Sequence, residues 1–250
     1  MMGGSWPHRC APRTPHEEIL YSEQPNERTS ADRAGGLRRF GQKEMGMKFY
    51  TSIGPNPRVV HIFMAEKGVE LPTVQVDIMG GENRQAEHLA RNPAGQMPTL
   101  ELDDGRFLAE ITAICEYLDE VYPTPPLIGD TPEERAMTRM WCRRVDLNIC
   151  EPMTNAFRFA EGLGLFEGRV HTIPQAADDL KQIAQEKLAW VDGLMGDSDW
   201  LVGDRFTLCD ILLYAFLEFG GSVGQPLDSD LRKLTAWYNR MAERPSVAAN

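Results

Sequence analysis

From Met47 onward, apolar and polar positions fall into two successive regimes. Lys48–Ser52 is a short run with strand character. Behind Asn56 and Pro57, the apolar residues Val59, Val60, Ile62, Phe63 and Met64 recur at helical spacing. Asn56 then reads as the cap, Pro57 as the first helical residue and Gly68 as the stop. Thr73–Ile78 reads as a second strand, broken by Gly80-Gly81-Glu82-Asn83, with a short helix over Gln85–Ala90. Met97–Leu102 and Phe107–Ala109 flank Asp103-Asp104-Gly105, a hairpin signal. Ile111–Tyr122 places Ile111, Ile114, Cys115, Leu118 and Val121 on one helical face. The predicted order is β-α-β-α-β-β-α.

Pro123, Pro125, Pro126 and Gly129 then interrupt all periodicity, which marks a linker over 123–131. After it every pattern is helical. One long helix runs from Thr131-Pro132-Glu133-Glu134 to about Glu161, and a second spans Pro174–Met195. A third opens at Thr207-Leu208-Cys209-Asp210, and a fourth lies within Asp228–Ala242. Residues 1–46 differ: six Pro and Gly between Pro7 and Gly36, scattered apolar positions and no period. Too little could be buried there to offset ordering entropy, so 1–46 is expected to be a disordered arm or a mis-assigned start, with a targeting role as the alternative.

The 250 residues carry a formal charge of −11, which argues against a nucleic-acid binder. No apolar run approaches a membrane span, and no secretory h-region opens the chain. Five cysteines are too few for a disulfide scaffold, and free thiols in a reducing, cytoplasmic setting are expected. There is no Cys-x-x-Cys and no metal-ligand cluster, so neither thioredoxin-type redox chemistry nor a metal is expected; His61 and His88 read as surface or packing residues.

Three motifs carry a resemblance. They are Asn92-Pro93-Ala94-Gly95-Gln96-Met97-Pro98-Thr99-Leu100, Glu110-Ile111-Thr112-Ala113-Ile114-Cys115-Glu116-Tyr117-Leu118, and Gly203-Asp204-Arg205-Phe206-Thr207-Leu208-Cys209-Asp210-Ile211. In this order and spacing the chain resembles a cytosolic glutathione transferase, closest to a fungal and proteobacterial branch without the usual catalytic Tyr, Ser or Cys. The resemblance implies a thioredoxin-like domain over 47–122, with a mixed four-stranded sheet and helices, and an all-helical domain over 132–250. It also implies glutathione as co-substrate, an apolar electrophile as second substrate and a homodimer.

The resemblance implies site residues as well. Pro98 matches the family's cis-proline, and the Met97 backbone would pair with the cysteinyl unit of glutathione. Glu110 would face the α-ammonium, while the helix N-terminus at Ile111 would take the γ-glutamyl carboxylate. The family usually has Ser where Ile111 stands, so one hydroxyl donor is lost. Arg84 is favoured for the glycyl carboxylate, with Asn83 and Gln85 nearby. Thr207 and Asp210 form a capping box with a structural role.

The thiolate donor stays open. The usual hydroxyl position falls on Gly54. Asn56 could donate its amide or cap the helix, Ser52 is a further candidate, and Tyr50 near the strand end reads as core. In the matching branch a hydroxyl on the first helix of the helical domain assists, which falls on Thr154, with Asn148 and Arg158 in support. Thr154 could equally bond back to its own helix. Phe157 and Leu165, with Phe159, Leu163 and Phe166, suit an apolar electrophile or a plain core. The leading reading is a transferase. A specialised glutathione-dependent lyase, dehalogenase or disulfide reductase is the alternative among enzymes, and a ligand-binding protein is the alternative outside them.

Overall fold

The computed structural model describes residues 46–249. The expectation for 1–46 therefore lies, except for Gly46, outside the described residues. The first regime gives β1 (Lys48–Thr51), α1 (Pro55–Lys67), β2 (Thr73–Gln75), α2 (Ala86–Arg91), β3 (Thr99–Glu101), β4 (Phe107–Leu108) and α3 (Ile111–Val121). The strands form one sheet in the order β2-β1-β3-β4. β1 runs parallel to β2 and antiparallel to β3, and β3 is antiparallel to β4. The second regime gives α4 (Pro132–Val145), α5 (Glu151–Phe159), α6 (Leu163–Phe166), α7 (Ala177–Leu194), α8 (Leu208–Ser222), α9 (Arg232–Ala242) and α10 (Pro245–Ala248). The expected architecture, a mixed four-stranded sheet with helices followed by an all-helical part, is the one observed.

Two boundaries differ for physical reasons. α1 begins at Pro55 rather than Pro57, with Gly54 at the cap position in a positive-φ conformation (φ 115°) that a side chain would resist. Asn56 therefore sits inside the first turn and caps nothing. The long helix through residue 161 is interrupted by a wider five-residue π turn, Asp146–Cys150, in which the Glu151 N–H reaches the Asp146 carbonyl. Pro152 lies just beyond it. Proline lacks an N–H and its ring crowds the carbonyl four residues back, so a widened turn accommodates it without ending the helix.

One apolar core runs through both parts. α8 is buried from Leu208 to Leu217, and α1 packs on it. Asp210 starts α8 and is fully buried. It accepts from the Thr207 N–H (2.9 Å), the Leu201 N–H (2.9 Å) and Trp237 Nε1 (2.9 Å), so one carboxylate ties the helix start to two other segments. The linker is held by a buried ion pair between Lys67 and Asp119. Lys67 Nζ also donates to the Tyr122 carbonyl (2.8 Å) and the Pro125 carbonyl, and Asp119 accepts from the Leu127 N–H (3.0 Å). Each charge is thus hydrogen-bonded as well as paired, the condition under which a buried pair is tolerated.

Candidate active site

The ends of α1 and α3 and the loop between α2 and β3 meet at two adjoining clefts. The smaller, about 30 Å3, is lined by Asn56, Asn92, Gln96, Met97, Pro98, Glu110 and Ile111. The larger, about 200 Å3, reaches from Asn56 and Met97 past Arg84 to Arg158, Leu165 and Phe166. Asn56, Gln96 and Met97 line both.

The loop is fixed from below. Asn83 Nδ2 donates to the Gly95 carbonyl (2.6 Å). Asn92 Nδ2 donates to the Gln96 carbonyl (2.9 Å), and the Ala94 N–H donates to Asn92 Oδ1 (3.1 Å). Gly95 has φ 61°, and a Cβ there would lie 3.0 Å from the Asn83 carbonyl oxygen, so glycine is required. The loop ends in a cis Met97–Pro98 bond, and the Met97 amide and carbonyl are engaged by no other described residue. They remain available to an extended peptide.

At the α3 start, Glu110 has φ 68° and ψ 118°, the one positive-φ residue other than glycine among the described residues. Such backbone costs roughly 1–3 kcal/mol and clusters at ligand sites. Glu110 occupies the cap position without capping; its exposed carboxylate has no hydrogen-bond partner among the described residues. Beside it stand the unspent N–H groups of the α3 first turn, where no acidic side chain competes. A carboxylate next to a positive helix end complements an amino-acid head group, ammonium to one and carboxylate to the other.

At the α1 start the donors can be counted. Pro55 and Pro57 have no N–H, and the Arg58 N–H is spent on the Gly54 carbonyl (3.3 Å). The Asn56 N–H and side-chain amide are the remaining first-turn donors, at the positive end of a 13-residue helix with no acidic residue in its first turn.

The chain matches the model for "Glutathione S-transferase, N-terminal domain" over residues 53–121 and that for the C-terminal domain over 154–245. Glutathione S-transferase 2 of Saccharomyces cerevisiae is 34% identical over 212 residues, covering 82% of this chain and 89% of its own. The chain belongs to the glutathione S-transferase family. Maleylacetoacetate isomerase of Pseudomonas aeruginosa is 35% identical over 73% of this chain and 85% of its own. The crystal structure of a glutathione S-transferase domain-containing protein of Marinobacter aquaeolei superposes with a TM-score of 0.74 at 37% identity, covering 80% of this chain and 99% of its own.

For this transferase the sequence-predicted site residues divide. Asn56, Met97, Pro98, Glu110 and Ile111 converge on the smaller cleft, and Arg84 and Leu165 on the larger. Three do not converge. The Thr154 hydroxyl donates to the Cys150 carbonyl at 2.7 Å and lines neither cleft. Of the two alternatives, the bond back to its own helix, to the carbonyl four residues earlier, is the one realised. Ser52 is half-buried and lines neither cleft, because β1 ends at Thr51 and the chain turns away before α1. Phe157 packs edge-on against Phe166 and Phe219 and supports the cleft wall from behind.

Tyr50 is core, as its strand position suggested: its hydroxyl donates to Glu101 (2.8 Å) and Arg91 covers its ring. Burial and the Glu101 bond push its phenol above the ordinary range, opposite to what a thiol-activating Tyr needs. Asn148 and Arg158 do not meet Thr154; Asn148 donates to the Arg144 carbonyl (2.9 Å) and Arg158 to Asn155 (3.1 Å). Four cysteines are buried, and burial raises the thiols of Cys115, Cys150 and Cys209 well above their ordinary range, which makes them poor nucleophiles. Sequence reasoning named Asn92 in a motif and Asn83 near the glycyl carboxylate but missed that both shape the loop, and it missed Arg169, which reaches the large cleft from an irregular segment that no periodicity marks. Among the described residues no helix is long and apolar enough to cross a membrane.

Proposed function

We propose that the enzyme binds glutathione along the two clefts and conjugates it to apolar electrophiles. The γ-glutamyl end lies in the smaller cleft, its ammonium at Glu110 and its carboxylate on the Ile111 end of α3. The cysteinyl unit pairs with Met97, and the glycyl carboxylate meets Arg84. The sulfur then falls at the junction, next to Asn56, with the electrophile in the larger cleft against Leu165. The observation that carries this reading is that the clefts share Asn56 and Met97.

The chemistry needed is modest. A free thiol titrates near ~8.5, so little is thiolate at neutral pH. Lowering it by about two units takes about 2.7 kcal/mol of preferential thiolate stabilisation. Hydrogen bonds to a charged group contribute ~1.5–3 kcal/mol each, so the two Asn56 donors suffice. Ile111 in place of a hydroxyl weakens glutathione binding by ~0.5–1.5 kcal/mol without abolishing it.

The division of labour we propose follows 47–122 for glutathione and 132–250 for the electrophile, joined by the linker over 123–131. A homodimer and a cytoplasmic setting complete the proposal. Retention on immobilised glutathione together with turnover of an activated aryl halide tests it. Retention without turnover, and with no lowered thiol pKa, would make this a ligand-binding protein of the same fold.

A further inference from the structure

The chain has 37 acidic and 26 basic side chains. Against that background the larger cleft is lined by three arginines, Arg84, Arg158 and Arg169, and by no Asp or Glu. Elsewhere arginines hold carboxylates, as Arg58 holds Glu218, Arg139 holds Glu116 and Arg244 holds Glu66. None of the three cleft arginines is in an ion pair among the described residues; Arg84 has only a long bond (3.5 Å) to the Ala94 carbonyl. Arg158 projects from the last turn of α5. Its Nη1 donates to Asn155 Oδ1 (3.1 Å), its guanidinium lies 5.6 Å from the centre of the Phe166 ring, and its Nε is buried without a partner.

Arg158 is half-buried against Phe166, while Arg84 and Arg169 reach the cleft from exposed positions. A cluster of guanidinium groups in a concave site concentrates anions, and the planar fork matches a carboxylate. The proposal above employs Arg84 on glutathione. Arg158 and Arg169 come from the helical part, alongside Leu165 and Phe166.

We infer that the electrophile accepted here is an apolar body bearing a carboxylate, held by Arg158 and Arg169 while Leu165 and Phe166 cover the body. This rests on the transferase reading of the same cleft.

The test compares para-chloro-meta-nitrobenzoate with the matching neutral benzamide, each rate divided by its uncatalysed rate. In both, the glutathione sulfur bonds to the ring carbon bearing chlorine, chloride leaves with the bonding pair and the thiol proton passes to water. The unmodified enzyme favours the benzoate, and the preference shrinks with added salt. Arg158→Gln and Arg169→Gln each lower kcat/KM for the benzoate about ten-fold, ~1.4 kcal/mol. They change the benzamide less than two-fold and leave the KM for glutathione unaltered. Arg158→Lys keeps the charge and recovers part of the loss.

Equal loss on both acceptors, no benzoate preference, or a raised KM for glutathione would overturn the inference. Calorimetric binding of unreactive meta-nitrobenzoate and meta-nitrobenzamide to the glutathione-loaded protein separates the two levels. Tighter benzoate binding without turnover of either acceptor contradicts the transferase reading alone. Equal binding of the two contradicts the anion site.

Discussion

The Thr154 hydroxyl in α5 donates at 2.7 Å to the carbonyl of Cys150, the last residue of the π turn. That contact is a helical hydroxyl bonding back to the carbonyl four residues earlier, and it takes the hydroxyl away from the cleft. Thr154→Val is therefore expected to cost about 1 kcal/mol of stability and to leave the pKa of bound glutathione unchanged. Thermal unfolding and thiolate absorbance of the variant check the two halves separately.

Glu110 combines a strained backbone with a carboxylate that no other described residue uses. Glu110→Ala is expected to raise the KM for glutathione more than it lowers kcat, because the contact is remote from the sulfur and alike in ground and transition states. Glu110→Gly should raise KM in the same way while increasing stability by roughly 0.5–1 kcal/mol, since glycine relieves the positive φ. Steady-state kinetics at varied glutathione, with melting curves for both variants, decide the point. A pure kcat loss would place Glu110 in the chemistry.

Glu66 on α1 accepts from Arg244 Nε (2.7 Å) and Nη2 (2.8 Å), and also from Ser246. Burial alone would push its carboxyl up, but the bonds from Arg244 and Ser246 and the Arg244 charge outweigh it and hold the carboxyl below its ordinary range. Its contribution to stability is thus present above the unfolded-chain value of ~4.3 and is lost as pH falls through the lower folded value. Glu66→Gln should lower the melting temperature at neutral pH, and the gap to the unmodified protein should close on acidification below about pH 4. A gap that is constant with pH would show that the pair adds nothing titratable.

Much of this was legible before any coordinates. Strand and helix order followed from periodicity, and Thr207 with Asp210 announced the α8 start because a capping box is a local signal. The cleft floor was legible through Met97-Pro98 and Glu110-Ile111 because both pairs lie in motifs that carry the family resemblance. The Asn56 role was not: Pro55 and Pro57 both suit a first helical position, and only the positive φ of Gly54 decides between them. Thr154 was ambiguous because a helical hydroxyl can turn inward or outward at equal local cost. Arg169 was invisible, because a loop residue reaches a cleft through tertiary placement and leaves no pattern along the chain.

The central claim is that Asn56 stabilises the glutathione thiolate, and the pKa of the bound thiol read by ultraviolet thiolate absorbance tests it most directly. Asn56 caps nothing, so Asn56→Ala should remain folded with a melting temperature close to that of the unmodified enzyme. Its backbone N–H persists, so the account predicts a rise of about one pKa unit, ~1.4 kcal/mol, rather than full return to the free value near ~8.5. Tyr50→Phe, whose hydroxyl is committed to Glu101, should leave the thiol pKa where it was. An unchanged pKa in Asn56→Ala, or a thiolate lost in Tyr50→Phe, would contradict the account.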